Sequence, residues 1–375
     1  MHKILAFLFP VWLFCYSIYS FSQTDPNLVL SSFPPFWKFQ LFMWHLGFSN
    51  RGWSTIIFVG IVLMLFISYW AIISLIKQGK IPKKHVQFLF IASLFALLPS
   101  YPALSHDIYN YLFNAKMVMV YHANPHVQVA LDFPNDPWLK FMHNVQTPAP
   151  YGYGWTAFSL FPYWLGRGYL QGELLIFRLV MITGLISCLW LIPRIQKVSL
   201  KQLALFAFNP LILIEVVGNI HNDIVMMAAV LAGFLLIKNG VAGKIWWKIA
   251  LGILLFGFSI SIKYVSVVLI AAYLASKLIK RISLSHWSVL SLWAPLFTTQ
   301  SQRFLPWYLT WSLVFLPFLH NKYIKTALIA SSITGLLSYL LILYYGEYSD
   351  WLLMVRSIIL FGGPVLAILI HHDKK

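Results

Sequence analysis

Asp107 stands in Ser105-His106-Asp107-Ile108-Tyr109-Asn110-Tyr111, at the start of a polar stretch that runs to Gly152. A carboxylate there suits a general base that takes the proton of a hydroxyl as a new bond forms. It suits equally a helix N-cap ahead of Ile-Tyr-Asn-Tyr-Leu-Phe. A second polar group, Gly218-Asn-Ile-His-Asn-Asp223, offers His221, Asn222 and Asp223 either as ligands for a substrate or as helix caps. Glu215 lies just inside the end of an apolar run, where a charge costs on the order of 1–3 kcal/mol. It therefore pairs with Lys263 or Arg178, or meets substrate directly. Arg178, Lys263, Arg303 and Arg356 fall where membrane statistics disfavour basic residues. An anionic ligand such as a phosphate explains them, Arg binding as a fork and Lys as a point charge; snorkelling explains each one singly. Trp138, Tyr151, Tyr153 and Trp155 either stack on a ring-bearing ligand or belong to interfacial belts. Gly152 and Gly154 permit close backbone approach to a ligand, or simply a turn. His221 and Asp223 are too few and too close for a metal site, and Cys15 and Cys188 sit in apolar runs with no disulfide or metal spacing.

The elements that position these residues follow from composition. Of 375 residues, 60% are hydrophobic and only 10% charged, with a mean hydropathy of +0.75. A soluble chain of this size cannot hide that much apolar surface, whereas a bilayer can, at about 20 residues per crossing. Backbone groups in lipid must pair within the segment, and the runs are too unalternating for barrel strands, so the spans are helices. The net charge of +17 would suggest nucleic acid in a soluble protein; here the cationic loops of a membrane protein account for it, and no nucleic-acid partner is expected. The expected fold is an all-α polytopic membrane protein, one domain over 1–375, with about 12 transmembrane helices (range 10–13). Their limits are about 4–22, 54–76, 86–104, 173–193, 202–218, 223–238, 246–262, 264–277, 285–300, 304–319, 324–345 and 351–371. Residues 1–23 read as a retained first helix or a cleaved signal peptide. No linker, low-complexity tract or internal repeat is visible.

Most of the 27 basic residues cluster at alternate span ends, which places those ends, and both termini, in the cytoplasm of a multi-pass plasma-membrane protein. Nine of the ten acids, all but Asp373, then lie outside or near outer helix ends. The 105–152 loop is thereby extracytoplasmic and carries interfacial helices, together with the turns at 218–223, near Lys263, at 300–303 and at 346–350. Residues 153–193 must cross an odd number of times. One crossing at 173–193 leaves Trp155–Leu165, broken by Pro162, in the outer interface.

Taken in order, these pieces resemble the polytopic GT-C glycosyltransferases, especially bacterial polyprenyl-phosphate-mannose-dependent mannosyltransferases. The resemblance rests on Asp107-Ile-Tyr-Asn-Tyr111, Ala123-Asn-Pro-His126 and Pro148-Ala-Pro-Tyr-Gly152. It continues in Asn209-Pro210 with Glu215, in Gly218-Asn219 with His221-Asn222-Asp223, and more weakly in Lys263-Tyr264 and Pro306-Trp307-Tyr308. Two spans precede the one carrying the acid, where many members place the acid after the first span. The acid is single where several have a pair, so the metal use seen in some relatives is not implied. The resemblance implies transfer of a hexose, mannose by inheritance, from a polyprenyl-phosphate donor to a glycan, lipid or protein acceptor at the outer face, with inversion. Asp107 would be the base; Tyr109, Tyr111, Asn124, Tyr151, Glu215, His221, Asn222 and Asp223 would meet substrate; and Arg303, Lys263 and Arg178 would hold the donor phosphate. No cofactor is expected.

Two other functions share the same features. A transporter or flippase of a lipid-linked sugar would also need many spans and outer cations, but a proton-coupled carrier should place acids near the bilayer midplane, and here they gather at one face. An outer-face ligase or polymerase would use a diphosphate donor.

Overall fold

The apolar runs of this chain divide into long helices fit to cross a membrane and shorter segments packed as core. The computed structural model describes residues 2–293, 304–347 and 349–372. Among the described residues there are helices and no strand. Six helices are long and apolar enough to cross a membrane: His2–Gln23, Arg51–Lys77, Leu170–Ile195, Asp223–Gly243, Lys322–Tyr345 and Asp350–Ile370. Leu200–Ala207 and Pro210–Gly218, bent by 45° at Asn209-Pro210, make a seventh if the pair is one crossing. Along these helices Ile56, Leu63, Ile186 and Ile358 point outward, as lipid-facing side chains do.

The expected twelve spans are thus not met. Lys83–Leu97 is 15 residues long, Trp246–Ile262 is 17, and Tyr264–Leu278 is another shorter apolar helix. The 304–319 run is no span at all. Its prolines, Pro306 and Pro317, open short 3-10 turns on either side of the five-residue helix Leu309–Leu313. Leu309, Leu313, Val314, Leu316 and Leu319 are buried in the protein core. Irregular backbone is tolerated at membrane depth only when protein surrounds it, and composition alone does not separate such a segment from a lipid-facing one. Helix Leu284–Trp293 begins the 285–300 run, whose remainder, like Arg303 and the 300–303 turn, lies outside the described residues. An unforeseen helix, Pro34–Trp44, opens on two prolines, the residues best suited to the first turn.

Helices Asp223–Gly243 and Trp246–Ile262 pack as a close hairpin. A methyl group on either Gly233 or Gly252 would stand 2.7 Å from the other's carbonyl oxygen, so the two backbones touch where side chains are absent. Across this hairpin the start of one helix, with Asp223, lies beside the end of the other, with Lys263 just past it. Between the short helix Lys83–Leu97 and the span Leu170–Ile195, the polar stretch folds over the bundle as helix Asp107–Met119, 3-10 turns at Ala130–Asp132 and Pro137–Lys140, and helix Tyr153–Gly166. Helix Tyr153–Gly166 has Phe161 and Trp164 exposed.

Candidate active site

Arg178 ties together the chain ends from which the site is built. It is buried within helix Leu170–Ile195 and donates to four backbone carbonyls: Leu98 and Ser100 at one helix end, Val217 and Gly218 at another. Helix C-termini leave carbonyls without partners, and a guanidinium has the donors to satisfy several at once. Arg178 does not line the cavity that Asp107 faces, and its four hydrogen bonds go to backbone carbonyls.

Just beyond those ends, Asn219 links the two polar segments. Its side-chain oxygen accepts from the Leu104 N–H at 3.1 Å, and its amide donates to Glu215 Oε2 at 3.0 Å. Glu215 sits in a π-helical turn, Leu213–Gly218, fully buried. Neither Lys263 nor Arg178 is its partner. Ile220, the next residue after Asn219, has φ 61°, left-handed backbone that a β-branched residue rarely adopts. This local strain, of order 1–3 kcal/mol, turns His221 inward. His221 Nδ1 then lies 3.8 Å from Asp107 Oδ2, and its Nε2 lies 3.4 Å from Glu215 Oε2. The ring stacks on Trp307 at 4.2 Å. Burial, then the charge of Lys263, pushes the His221 pKa well below its ordinary value. A neutral imidazole has a single N–H to offer its two carboxylate neighbours.

Asp107 is the first residue of its helix, with His106 at the cap position, and the Asp107 N–H donates to Ser105 Oγ at 3.2 Å. The carboxylate is not spent on capping. It faces a cavity of about 500 Å³, in the size range of small-molecule sites. Lys263, Tyr151, Trp307, Tyr308 and Trp311 line the same cavity. Lys263 Nζ is 2.8 Å from Asp223 Oδ1, which also accepts a close hydrogen bond from Trp311 Nε1. The ammonium lies over the rings of Tyr151, Tyr308 and Trp311 at 5.3, 5.5 and 6.0 Å. Neither Asn222 nor Asp223 caps its helix through its side chain. Asn222 is fully buried, and its amide atoms have no hydrogen-bond partner among the described residues.

The remaining expected residues divide. Tyr151 reaches Asp107 by a hydrogen bond, and Tyr111 packs edge-on to Tyr151 at 4.8 Å. Tyr109 is buried away from the cavity against Tyr101 and Phe141. Asn124 caps a turn by accepting from the His126 N–H at 3.0 Å. Arg303 lies outside the described residues. Sequence reasoning missed Trp311 as a wall of the site; its spacing of four from Trp307 puts the two on one face of a helical turn. Among the described residues, no group of three His, Cys, Asp or Glu side chains is placed to hold a metal ion.

Gly152 and Gly154 have a structural task. The Gly152 N–H donates to the Ile262 carbonyl at 3.0 Å, and a methyl on Gly152 would fall 2.1 Å from the Ser261 carbonyl oxygen. On Gly154 it would fall 1.9 Å from Ser261 Oγ. This approach brings Tyr151 against Lys263. Gly152→Ala should therefore push the loop off the 261–263 segment, lowering the unfolding midpoint by several degrees (about 1–3 kcal/mol for such overpacking) and cutting turnover. Unchanged stability and turnover would show that the contact is not needed.

The fold and this pocket define a multi-pass membrane protein with a carboxylate and an ammonium facing one cavity at the ends of its helices. The chain belongs to a family described as alpha-(1->6)-mannopyranosyltransferase, N-terminal domain, which matches residues 29–277. A probable alpha-(1->6)-mannopyranosyltransferase of Mycolicibacterium smegmatis is 30% identical over 154 residues, 36% of this chain and 26% of that protein. Alpha-(1->6)-mannopyranosyltransferase A of Mycobacterium tuberculosis is 29% identical over 170 residues, 42% of this chain and 32% of that protein. The matches thus span a third or less of the length of these curated relatives. No solved structure matches the chain.

Proposed function

We propose that this chain is a membrane glycosyltransferase that moves a hexose, mannose in keeping with the family, from a polyprenyl-phosphate donor to an acceptor hydroxyl at the extracytoplasmic face, both termini being cytoplasmic. The observation that carries the reading is that Asp107 and Lys263 line one cavity in a member of this family. The acceptor, a glycan, lipid or protein, presents its hydroxyl to Asp107. The oxygen attacks the anomeric carbon from the face opposite the carrier phosphate. As the new C–O bond forms, the bond to the phosphate oxygen breaks, the phosphate leaves with the electron pair, and the hydroxyl proton passes to Asp107. Configuration inverts. Charge growing on the leaving phosphate meets the Lys263 ammonium in a site walled by rings, where electrostatic stabilisation is strongest. The reading requires no divalent metal.

The test offers purified protein in nanodiscs a panel of polyprenyl-phosphate sugars with acceptor, with and without chelator. Glycosylated product and released carrier phosphate, highest with mannose and insensitive to chelator, are expected. Carrier phosphate without product, or sugar-lipid crossing vesicles without turnover, would count against a transferase.

Burial raises the Asp107 pKa above its ordinary 3.8, with the Tyr151 hydroxyl and Lys263 pulling it back only partly. A base works ionised, so turnover falls as pH drops through the raised pKa. The acid limb of the kcat profile should lie above pH 3.8, and Asp107→Glu should displace it. A limb at or below that value would remove Asp107 as the titrating base.

A further inference from the structure

A second cavity, of about 620 Å³, opens at the other end of helix Asp107–Met119, roughly 18 Å from Asp107 at 1.5 Å per residue. Lys116, Met119 and Val120 form one side, and Trp164, Leu165 and Arg167 the other. The cavity sits where helix Tyr153–Gly166 ends and the membrane-crossing Leu170–Ile195 begins. Phe161, Trp164 and Tyr169 beside it are 64%, 61% and 65% exposed, a cluster of large apolar surface of the kind a bilayer covers.

The two cations differ. Lys116 is paired with Asp136 at 2.5 Å. Arg167 is exposed and has no ion-pair partner among the described residues. Its backbone is left-handed, φ 57° and ψ 27°, immediately after the helix, a position where glycine is favoured because a side chain there costs free energy. The turn is nevertheless well fixed. Arg167 N–H donates to the Tyr163 carbonyl at 3.1 Å, and Tyr169 N–H donates to the Gly166 carbonyl at 3.1 Å. Gly168 N–H donates to the buried Glu173 Oε1 at 2.8 Å. An arginine thus stands where glycine would be easier, on a turn anchored by a buried carboxylate, at a cavity rimmed by exposed aromatic rings.

We propose that this cavity holds the headgroup of an anionic phospholipid, with Arg167 on the phosphate, Lys116 nearby, and Trp164 and Leu165 against the glycerol and upper chains. Arginine suits phosphate because its planar fork donates two parallel hydrogen bonds. The proposal goes beyond the transferase reading and does not depend on it.

Arg167→Gly separates charge from fold, because it removes the cation while supplying the residue that the left-handed turn prefers. The protein is reconstituted with equimolar phosphatidylglycerol and phosphatidylcholine, and retained lipid is read by native mass spectrometry. Both lipids carry the phosphate, but in phosphatidylcholine the trimethylammonium offsets its charge beside Arg167 and Lys116, so the wild type should keep phosphatidylglycerol over phosphatidylcholine by about tenfold at one tight site. Arg167→Gly should lose that preference with an unfolding midpoint unchanged or higher, and Arg167→Lys should recover part of it. Equal retention of the two lipids by the wild type, or an unchanged preference in Arg167→Gly, overturns the proposal. Displacement of the lipid by millimolar inorganic phosphate would assign the cavity to phosphate itself and overturn the lipid assignment.

Discussion

Asp107→Asn should lower turnover by about 10²–10⁴-fold, the usual contribution of a positioned base, while donor affinity stays within a few-fold of wild type. The amide keeps the shape of the carboxylate and still accepts the Tyr151 hydrogen bond, but it has no basic oxygen for the acceptor proton. The substitution also isolates catalysis from folding. Asparagine is as good a helix cap as aspartate, so a capping residue would tolerate it. Because burial disfavours the Asp107 charge, the neutral amide should hold or raise the unfolding midpoint. Single-turnover transfer, donor binding and thermal unfolding measured on the same preparation decide the matter. Turnover near wild type would end the assignment of Asp107 as base.

Lys263→Met is expected to be the most damaging single change to the fold. The Asp223 side chain is fully buried and that of Lys263 is 12% exposed, with 2.8 Å between the charged atoms. Removing the lysine leaves a buried carboxylate with Trp311 as its remaining hydrogen-bond donor, and breaking such a pair costs about 3–5 kcal/mol. Adding Asp223→Asn removes the stranded charge, so the double variant should regain most of the lost stability. It should not regain donor binding, because the cation that meets the phosphate is still missing. Thermal unfolding in detergent and titration with a polyprenyl-phosphate sugar separate the two effects. A double variant with wild-type donor affinity would make Lys263 a structural residue alone.

The polar features of this chain were readable in advance because each stands out against an apolar background. Asp107 and the His221 turn were singled out as polar groups among apolar runs and Lys263 as a charge in an unfavourable place, and the structure brings all three to one end of the helix bundle. Arg178 shared that signal, but its partners are backbone carbonyls, and no side-chain pattern announces which helix ends lack partners. Trp311 was hidden by abundance, since 16 tryptophans in a membrane chain read as interfacial belts. The span count was overestimated because Leu309, Leu313 and Leu316 are apolar for the sake of a protein core. Ile220 carries the bend that aims His221, yet isoleucine is the residue least suggestive of left-handed backbone.

The polar stretch is held at its entrance by the Leu104–Asn219 hydrogen bond and at its exit by Gly152 against Ile262. Asn219 directly follows the bent pair Leu200–Ala207 and Pro210–Gly218, and Ile262 ends helix Trp246–Ile262, so both ends of the stretch are tied to the helix bundle. The entropic cost of spanning two fixed points rises only with the logarithm of loop length, about 0.6 kcal/mol per doubling. The freedom to change the loop at so small a cost is confined to exposed positions such as 127–128 and 134–135, because His143 stacks on His106 beside Asp107, Phe141 packs on Tyr109, and Asn144 lines the Asp107 cavity.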